Sequence, residues 1–511
     1  MKKGKRTIYL GLVLALLLTG CGPREVEPTP TSEPTPSPTA EPRAEEFMLP
    51  YSAAAGFHPI TGSNRINLTL APLLYEGLFE VDNTFTAQLE LCSGYSVSED
   101  GLTWTFRLRE AVFSDGSPLT GAEAAASLNR ARQSQRFQAR LKDVSRVTAG
   151  AGEVTVTLSR PNGDLPSLLD VPIVKETGEA QRPLGTGAYF LEEGGEGLVL
   201  RAKEAQAPLE TISLRAIAAE DDLVYAFDTR EISLVNVDLT GTNALGYSGR
   251  YETTDYPTTT LLYVGYNLRS EACREETVRR ALSLALDRQE VAGRLLAGHA
   301  VASALPIHPA SPLYDGDLAD GAKTDLAAAR ALLEGAGWSY DEAGRLRRGR
   351  SGLTLRLAVN QENTYKVAVA EALAGDLTEL GCEVTVEKLP WDTFVSALSR
   401  RDFDLYLGEA TLTADFDLEA ILAPGGSLNY GGCQDAELTE ALNAFRGAVG
   451  EERQQAASAL CTRLGQVAPI TPLCFKNGSL LTQWGQIRGT KPNPTQRNVF
   501  ADFEAWQIEL G

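Results

Sequence analysis

The sequence predicts an α/β protein built from more than one domain, and three observations support this. A chain of 511 residues is too long for a single hydrophobic core, which favours two or three domains. Apolar and polar residues alternate in 104–108 and in 153–158, which indicates half-buried strands. From residue 325 onwards helical and strand patterns follow one another, and this alternation is typical of an α/β lobe.

Residues 1–20 have the features of a bacterial lipoprotein signal peptide. Basic residues come first, and the apolar run 8–18 that follows is too short to span a bilayer. The run ends in the sequence LTGC, in which two small residues precede Cys21. We expect Cys21 to carry a diacylglyceryl group, with palmitate as a typical acyl chain, on the outer face of the cytoplasmic membrane. An ordinary secretory signal with an incidental cysteine is the alternative.

Residues 21–46 form a segment rich in Pro, Thr, Ser and Glu with almost no apolar side chains. Such a sequence cannot bury enough surface to fold, and its prolines favour an extended polyproline II chain. At about 3.1 Å per residue, we expect a tether that holds the folded part several tens of ångströms from the membrane.

The formal net charge of −20 limits the possible partners. A strongly acidic chain without a basic run does not neutralise phosphate backbones, so we expect no nucleic-acid partner. Adhesion to anionic lipid is disfavoured for the same reason. Any membrane contact therefore depends on the covalent anchor.

The cysteines after residue 21 are scattered and contain no CxxC motif, so neither a zinc knuckle nor a redox pair is indicated. Disulfides are permitted outside the cell, but we expect buried free thiols at several of these positions. The positions are Cys92, Cys273, Cys382, Cys433, Cys461 and Cys474.

A strand, a turn and a helix are predicted within 104–123, the stretch WTFRLREAVFSDGSPLTGAE. The turn is indicated by Asp115 and the glycine after it, which tolerate left-handed dihedrals. Thr120 and Glu123 have the spacing of a capping box that starts an Ala-rich helix reaching about Arg132. The stretch resembles the signature of the dipeptide-, oligopeptide- and nickel-binding proteins, family 5 of the solute-binding proteins of ABC importers.

Other segments extend this resemblance over nearly the whole chain after residue 47. The signature has Ser114, Gly121 and Glu123 where the family usually has His, Ala and Asp. We interpret the Gly-Thr-Gly at 185–187 as a chain reversal, because neither a helix nor a Lys-Ser/Thr pair follows it as in a phosphate-binding loop. The further matching segments are 57–59, 75–78, 183–189, 223–237, 258–267, 278–298, 325–338 and 469–475.

The resemblance implies a two-lobed periplasmic-binding-protein (Venus-flytrap) fold with an extra domain in the first lobe. Two crossover strands, near 258–266 and 469–475, would join the lobes and let them close over a ligand. The implied boundaries are 47–66 with 190–257 and 470–511 for the first lobe, 67–189 for the extra domain, and 258–469 for the second lobe.

The sequence carries no catalytic motif. Its histidines, His58, His299 and His308, form no close pair and no HExxH motif, and there is no GxSxG, Ser-x-x-Lys or P-loop sequence. Carboxylate pairs leave no trace in a sequence, so the residues alone do not exclude catalysis. We expect no enzymatic activity, no cofactor and no metal site.

The resemblance implies ligand-binding residues on both lobes. In the first lobe it places Ser63 and Arg65 over the ligand, where a guanidinium would bind a carboxylate through two hydrogen bonds. An exposed arginine at a helix start is the alternative for Arg65. In the second lobe, Leu412 stands where peptide-binding members carry the aspartate for the ligand's α-ammonium group, and Asp415 either lies near the ligand or caps the next helix. The full predicted set is Ser63, Arg65, Asn360, Glu409, Thr411, Leu412, Asp415, Asn429 and Tyr430.

These features predict a monomeric solute-binding lipoprotein that delivers a peptide to an ABC importer. Its partners would be a small-molecule or peptide ligand, the permease and ATPase of the importer, and the membrane through the lipid anchor. Two alternatives stay open. One is a lipoprotein that uses the same cleft to sense a signal peptide or to help other proteins fold, and the other is a receptor for a non-peptide solute.

Overall fold

The structure, a computed structural model, describes residues 46–510 except 180, 196, 243 and 245. The predicted signal peptide, the predicted lipidation at Cys21 and all but the last residue of the predicted tether lie outside the described residues.

Strands and helices alternate from residue 354 to residue 411, after a helix at 326–335 and three short strands, and the prediction of an α/β protein is confirmed. The strands of the described residues are β1 Met48–Tyr51, β2 Phe79–Val81, β3 Ala87–Leu89, β4 Cys92–Val97, β5 Thr103–Leu108, β6 Val144–Ala149, β7 Glu153–Leu158, β8 Tyr189–Gly194, β9 Gly197–Ala202, β10 Thr211–Ala216, β11 Leu234–Val237, β12 Tyr251–Tyr266, β13 Ala300–Ala302, β14 Ser339–Tyr340, β15 Leu346–Arg348, β16 Ser351–Gly352, β17 Thr354–Asn360, β18 Glu383–Leu389, β19 Leu405–Thr411, β20 Ile470–Gln483, β21 Ile487–Arg488 and β22 Gln507–Ile508.

Side chains that the sequence marks as caps start several helices. The Glu123 carboxylate accepts a hydrogen bond from the Thr120 backbone N–H at 3.1 Å, and the Thr120 hydroxyl caps the first turn, which confirms the predicted capping box. Asp287 and Asp325 each accept a hydrogen bond from the backbone N–H three residues on. The helices are α1 Arg65–Thr69, α2 Ala71–Leu74, α3 Gly121–Ala131, α4 Glu220–Asp228, α5 Glu276–Ala285, α6 Arg288–Glu290, α7 Gly316–Gly321, α8 Leu326–Gly335, α9 Thr364–Glu379, α10 Trp391–Arg400, α11 Glu419–Leu422, α12 Ala436–Gly447 and α13 Gly450–Val467.

Three sheets within the described ranges have four or more strands. The N-terminal sheet has the order β1-β10-β9-β8, and the flanking sheet has the order β4-β5-β7-β6. The central sheet has the order β11-β20-β12-β19-β17-β18, with β13 paired to β20.

Strands β12 and β20 are the longest of the central sheet and pair with each other in antiparallel register over most of their length. Both are rich in β-branched, aromatic and leucine side chains, which favour a pleated and buried surface. The register shifts between Pro257 and Thr260, where a proline without an N–H interrupts the ladder. The two predicted crossover segments lie on these strands.

The two faces of the central sheet bury separate apolar clusters. Along β12, Leu262 and Val264 pack into one cluster while Leu261 and Tyr263 pack into the other, as expected when successive side chains point to opposite faces. A third cluster fills the space between the N-terminal and flanking sheets and extends to the C-terminal segment at Trp506.

The hairpin between β2 and β3 reaches from the flanking region into the apolar cluster beneath the central sheet. Phe85 lies in the left-handed region of backbone space with a φ of 63° and is buried. Its ring lies 5.2 Å from that of Phe416 and 4.9 Å from that of His308. Burial lowers the pKa of His308 to about 4, so this histidine is neutral in the apolar contact.

The Gly-Thr-Gly sequence at 185–187 is a close approach of two backbones just before β8. A Cβ atom on Gly185 would lie 1.9 Å from the carbonyl oxygen of Leu74, and one on Gly187 would lie 2.4 Å from the carbonyl carbon of Leu74. Only glycine fits at both positions. The interpretation of this segment as a chain reversal stays a prediction.

The predicted domain boundaries stay predictions. We refer to residues 47–257 with 470–511 as the first lobe and to residues 258–469 as the second lobe. With these bounds, the N-terminal and flanking sheets belong to the first lobe, β12 runs from the first lobe into the second, and β20 begins where the chain returns from the second lobe to the first.

Candidate functional site

A cavity of about 1010 Å³ lies between the two lobes, beside the irregular part of β12. Its first-lobe wall comes from the start of α1, from the loop after α3, from the end of β11 and from the segment around residue 497. Its second-lobe wall includes Asn363 at the start of α9 and Glu409 on β19. The volume lies at the upper end of the range of about 300–1,000 Å³ typical of small-molecule sites.

The start of α1 places Ser63 and Arg65 at the cavity. Asn64 caps this helix by accepting a hydrogen bond from the Asn67 N–H at 3.0 Å. The buried Asn67 amide in turn holds the preceding loop through hydrogen bonds to the backbone of Ser52. Arg65 is exposed to the cavity, and its guanidinium has no ion-pair partner among the described residues. It is thus both an exposed arginine at a helix start and a residue of the cavity wall.

A charged network forms the floor of the cavity and includes residues of both lobes. Lys476 of β20 keeps only 4% of its side chain exposed, and its Nζ lies 2.7 Å from Asp238 Oδ2 and 3.3 Å from Glu409 Oε2. The same Glu409 oxygen lies 3.3 Å from Lys366 Nζ. Burial opposes the charge of Lys476, but Glu409 and Asp238 outweigh it and raise the pKa of this lysine. Burial likewise opposes the charge of Asp238, but Lys476 and the hydrogen bonds of Thr240 leave the pKa of Asp238 lowered.

At the first-lobe wall of the cavity, three arginines are grouped around a single carboxylate. Arg140 donates a hydrogen bond to Asp170 Oδ1, and Arg497 Nε lies 3.3 Å from Asp170 Oδ2. Arg136 donates to the carbonyl oxygen of Pro59 at 3.1 Å. Burial, together with the neighbouring guanidiniums of Arg497 and Arg140, lowers the pKa of Arg136 to about 10. Arg136 and Arg497 line the cavity, whereas Arg140 lies behind it.

Hydrogen bonds tie the irregular part of β12 to the cavity rim. The Thr258 hydroxyl donates to the carbonyl oxygen of Lys476 at 2.6 Å. The Thr259 backbone N–H donates to Gln496 Oε1 at 3.1 Å, and Gln496 lines the cavity. The Asn363 amide of the second lobe donates to the carbonyl oxygen of Thr240 in the first lobe at 3.2 Å. These hydrogen bonds therefore connect the wall of the cavity to the crossover strands.

Ser63, Arg65 and Glu409 are the members of the predicted ligand-binding set that the structure brings together at the cavity. Asn360 is buried at the end of β17, where its Oδ1 accepts a hydrogen bond from Glu362 N–H, and Asn363 lines the cavity in its place.

The predicted residues that follow Glu409 do not line the cavity. The Thr411 hydroxyl pairs with that of Thr260 across β12 and β19. Leu412 is buried in the apolar cluster beneath the sheet, so it does not stand at a position that would contact an ammonium group of a ligand in the cavity. Asp415 is buried and accepts hydrogen bonds from Thr413 and Asn162.

Asn429 and Tyr430 are also positioned away from the cavity and hold a loop. The Asn429 amide donates to the carbonyl oxygens of Ala423 and Cys433, both at 2.9 Å. The Tyr430 ring packs edge-on against Tyr406.

Sequence reasoning missed Arg136, Arg497, Asp238 and Lys476. Asp238 directly follows the short β11, and polar residues at strand ends are a usable signal. Lys476 stands inside an apolar strand, where an isolated lysine signals a buried partner. Arg136 and Arg497 lie outside the helices and strands, and nothing in their neighbouring residues marks them.

Within 46–510, omitting the undescribed positions, no group of His, Cys, Asp and Glu side chains has the arrangement of a metal site. In the same part of the chain, no helix combines the length and the apolar character needed to cross a membrane.

Comparisons with known proteins give the same architecture. The chain is 22% identical over 491 residues to the oligopeptide-binding protein AppA of Bacillus subtilis, which covers 88% of this chain and 89% of AppA. The structure of AppA in complex with a nonapeptide matches with a TM-score of 0.59 and 19% identity, over 92% of this chain and 99% of that one. NikZ of Campylobacter jejuni in complex with Ni(L-His) matches with a TM-score of 0.63 and 17% identity, over 91% of this chain and 99% of that one. These structural likenesses show the two-lobed fold.

The family comparison covers the part of the chain that contains the flanking sheet, the crossover strand β12 and most of the second lobe. Residues 86–429 match the bacterial extracellular solute-binding proteins, family 5. The signature stretch at 104–123 lies inside this match, as does Glu409 of the cavity floor. The chain therefore belongs to family 5 of the bacterial extracellular solute-binding proteins.

Proposed function

We propose that this protein captures a small solute in the cavity between its lobes and delivers it to the permease of an ABC importer. The observation that carries the proposal is the cavity itself. It lies beside the two strands that join the lobes, and its wall includes Arg65 of the first lobe and Glu409 of the second. Closure about two strands is a common way for a binding protein to enclose its ligand.

A short peptide is the solute class we favour. The family includes relatives named for oligopeptides and for glutathione, and peptides offer both backbone hydrogen-bonding groups and a carboxylate. The cavity volume suits a ligand of a few residues.

We further propose that the protein acts outside the cytoplasm as a monomer held by a lipid on Cys21, with the segment after it as a tether. The support is the lipoprotein-like sequence at 18–21. Replacing Cys21 with Ser and fractionating cells tests the anchor. The variant should lose its membrane association, and firm membrane association of the variant would contradict lipid anchoring.

Native mass spectrometry of the protein purified from its own cells tests capture of a solute. A bound small molecule that is released on denaturation is the expected result. Alternatively, the cell medium is passed over the immobilised protein and eluted after washing. If neither route yields a bound molecule, the proposed function is contradicted.

A further inference from the structure

Positively charged residues outnumber negatively charged ones in the wall of the cavity, and this limits the kind of solute that the cavity can bind. Three basic residues, Arg65, Arg136 and Arg497, and two acidic residues, Asp238 and Glu409, line the cavity. Because the whole chain has a formal net charge of −20, an excess of positive charge at one cavity is a local property of this site.

Both acidic residues are already neutralised by lysines of the protein. Asp238 accepts from Lys476 through one oxygen and from the Thr240 N–H and hydroxyl through the other. Glu409 lies between Lys366 and Lys476, with both Nζ atoms at 3.3 Å from one carboxylate oxygen. A ligand ammonium group would have to displace one of these partners to gain a carboxylate.

The arginines, in contrast, lack carboxylates. Neither Arg65 nor Arg136 has an acidic partner within ion-pair distance in the described part of the chain. Arg497 shares Asp170 with Arg140, so one carboxylate serves two guanidiniums. Two Arg140 nitrogens and Asp170 Oδ2 are buried without a hydrogen-bond partner, so the shared carboxylate does not satisfy all the groups of this cluster.

We propose that the cavity takes a solute with two or more negatively charged groups, and that Arg65, Arg136 and Arg497 bind these groups from the first-lobe side. This inference rests on the proposed function and specifies its solute class. Guanidiniums bind carboxylates through paired hydrogen bonds, and their charge attracts anions into a cleft. An acidic peptide and a small polycarboxylate share this chemistry.

A competition experiment tests the charge preference with probes of matched shape. The tripeptides Glu-Ala-Glu, Gln-Ala-Gln and Lys-Ala-Lys are mixed in equal amounts with the ligand-free protein, and bound species are counted by native mass spectrometry. We expect Glu-Ala-Glu to bind at least tenfold more tightly than Gln-Ala-Gln. Propane-1,2,3-tricarboxylate, measured by calorimetry, distinguishes a polycarboxylate site from one that also requires a peptide backbone.

Sulfate serves as a probe that does not depend on ligand shape. Sulfate should raise the midpoint of thermal unfolding in a saturable manner relative to chloride at equal ionic strength. The shift of the midpoint caused by sulfate should be at least fivefold smaller in Arg65→Gln and in Arg136→Gln than in the parent protein. Arg65 makes no ion pair with a described residue, so its replacement should not disturb the fold. Arg294→Gln, at an exposed arginine outside the cavity, is the control and should behave like the parent protein.

The possible outcomes distinguish a failure of this inference from a failure of the proposed function. Equal or tighter binding of Gln-Ala-Gln or Lys-Ala-Lys overturns the inference, and so does a sulfate effect that is absent or unchanged in Arg65→Gln. If sulfate or the tricarboxylate binds through Arg65 while none of the tripeptides binds, the anionic site stands and the peptide class is wrong. A neutral or cationic solute found on the purified protein would support the proposed function and overturn the inference.

Discussion

At the scale of single residues, Lys476 forms a direct link between the two lobes. It is almost fully buried and is the shared partner of Asp238 in the first lobe and Glu409 in the second. Such a network is stable only while its charges stay balanced, because the buried ammonium group of Lys476 needs carboxylate partners.

Replacing Lys476 with Ala should lower the free energy of unfolding by about 1.5–3 kcal/mol, since it removes the cation of Asp238 and one of the two cations of Glu409, both of which are partly exposed. Urea denaturation followed by circular dichroism measures the change. Lys388→Ala is the matched control, because Lys388 forms an exposed pair with Glu371 and should change stability by about 1 kcal/mol or less. Similar values for the two variants would show that the floor network contributes little.

The titration of Asp164 should make the free energy of unfolding depend on pH. Burial, together with the nearby Asp415 and against the opposing effect of Arg453, raises the pKa of its carboxyl to about 7. A raised pKa means that the folded state binds the proton more tightly than the unfolded state. Its contribution is therefore fully present below the unfolded pKa near 4 and is lost as the pH rises through about 7.

The Asp164→Asn variant should consequently gain stability relative to the parent protein at pH 8, by about 2 kcal/mol, and lose this advantage at pH 5. Paired denaturation curves at the two pH values give the difference. A constant difference across this range would mean that Asp164 titrates normally in the folded protein.

At the scale of structural elements, an ion-pair cluster formed by Lys142, Arg160, Asp417 and Glu419 joins the flanking region to the start of α11. Lys142 Nζ lies 2.7 Å from Glu419 and 2.9 Å from Asp417, and Arg160 donates two hydrogen bonds to Glu419 at 2.7 and 2.9 Å. With the proposed boundaries, this cluster connects the two lobes.

Glu419→Gln should favour separation of the lobes, because it removes the carboxylate that both cations share. Partly exposed pairs of this kind contribute about 1 kcal/mol, so the open fraction should rise about fivefold. Small-angle scattering of the ligand-free protein should show a larger radius of gyration. Glu371→Gln, which removes a carboxylate paired within the second lobe, is the control. Equal radii for the two variants would contradict an effect of the cluster on lobe separation.

The cluster should be insensitive to pH over the physiological range. Hydrogen bonds from Arg160, against the opposing effect of burial, together with Lys142 lower the pKa of Glu419 to about 2. Its contribution is present above the unfolded pKa near 4 and is lost as the pH falls through about 2.

How far the sequence predicted each element depended on the range of the interactions involved. The capping box at Thr120 and the strand β5 rest on local patterns, and both were predicted. Arg65 and Glu409 were placed by spacing within a family resemblance. Lys476 was not predicted as part of the site, because its role depends on two carboxylates more than sixty residues away in the chain.

For Leu412, in contrast, the spacing within the family resemblance did not predict where the side chain lies. It lies three residues after Glu409, so the alternation of β19 puts it on the opposite face of the sheet, in the apolar cluster with Tyr406 and Ala410. Residues separated by an odd number of positions along a strand lie on opposite faces, so a position derived by counting along a family pattern has to agree with this alternation.

At the scale of the whole molecule, the fold does not depend on disulfides among the described cysteines. The six thiols at Cys92, Cys273, Cys382, Cys433, Cys461 and Cys474 are free and buried, as expected for several of them. Burial raises the pKa values of Cys273, Cys382, Cys461 and Cys474 to about 12.

These thiols should therefore react with a thiol reagent such as DTNB at pH 8 only after unfolding. In the native protein fewer than one of the six should react within minutes, whereas all six should react in guanidinium chloride. A reducing agent should leave the thermal midpoint unchanged. Rapid reaction of several native thiols would contradict their burial.

The ion-pair cluster between the lobes has a consequence for the speed of capture. If it keeps much of the empty protein closed, a solute can enter only when the lobes separate, and the apparent affinity falls by the fraction that is open. The observed rate of binding in stopped-flow fluorescence should then level off as the solute concentration rises, at a plateau equal to the opening rate. Glu419→Gln should raise this plateau. At high solute concentration, the rate of capture would then be limited by the opening of the lobes and not by diffusion.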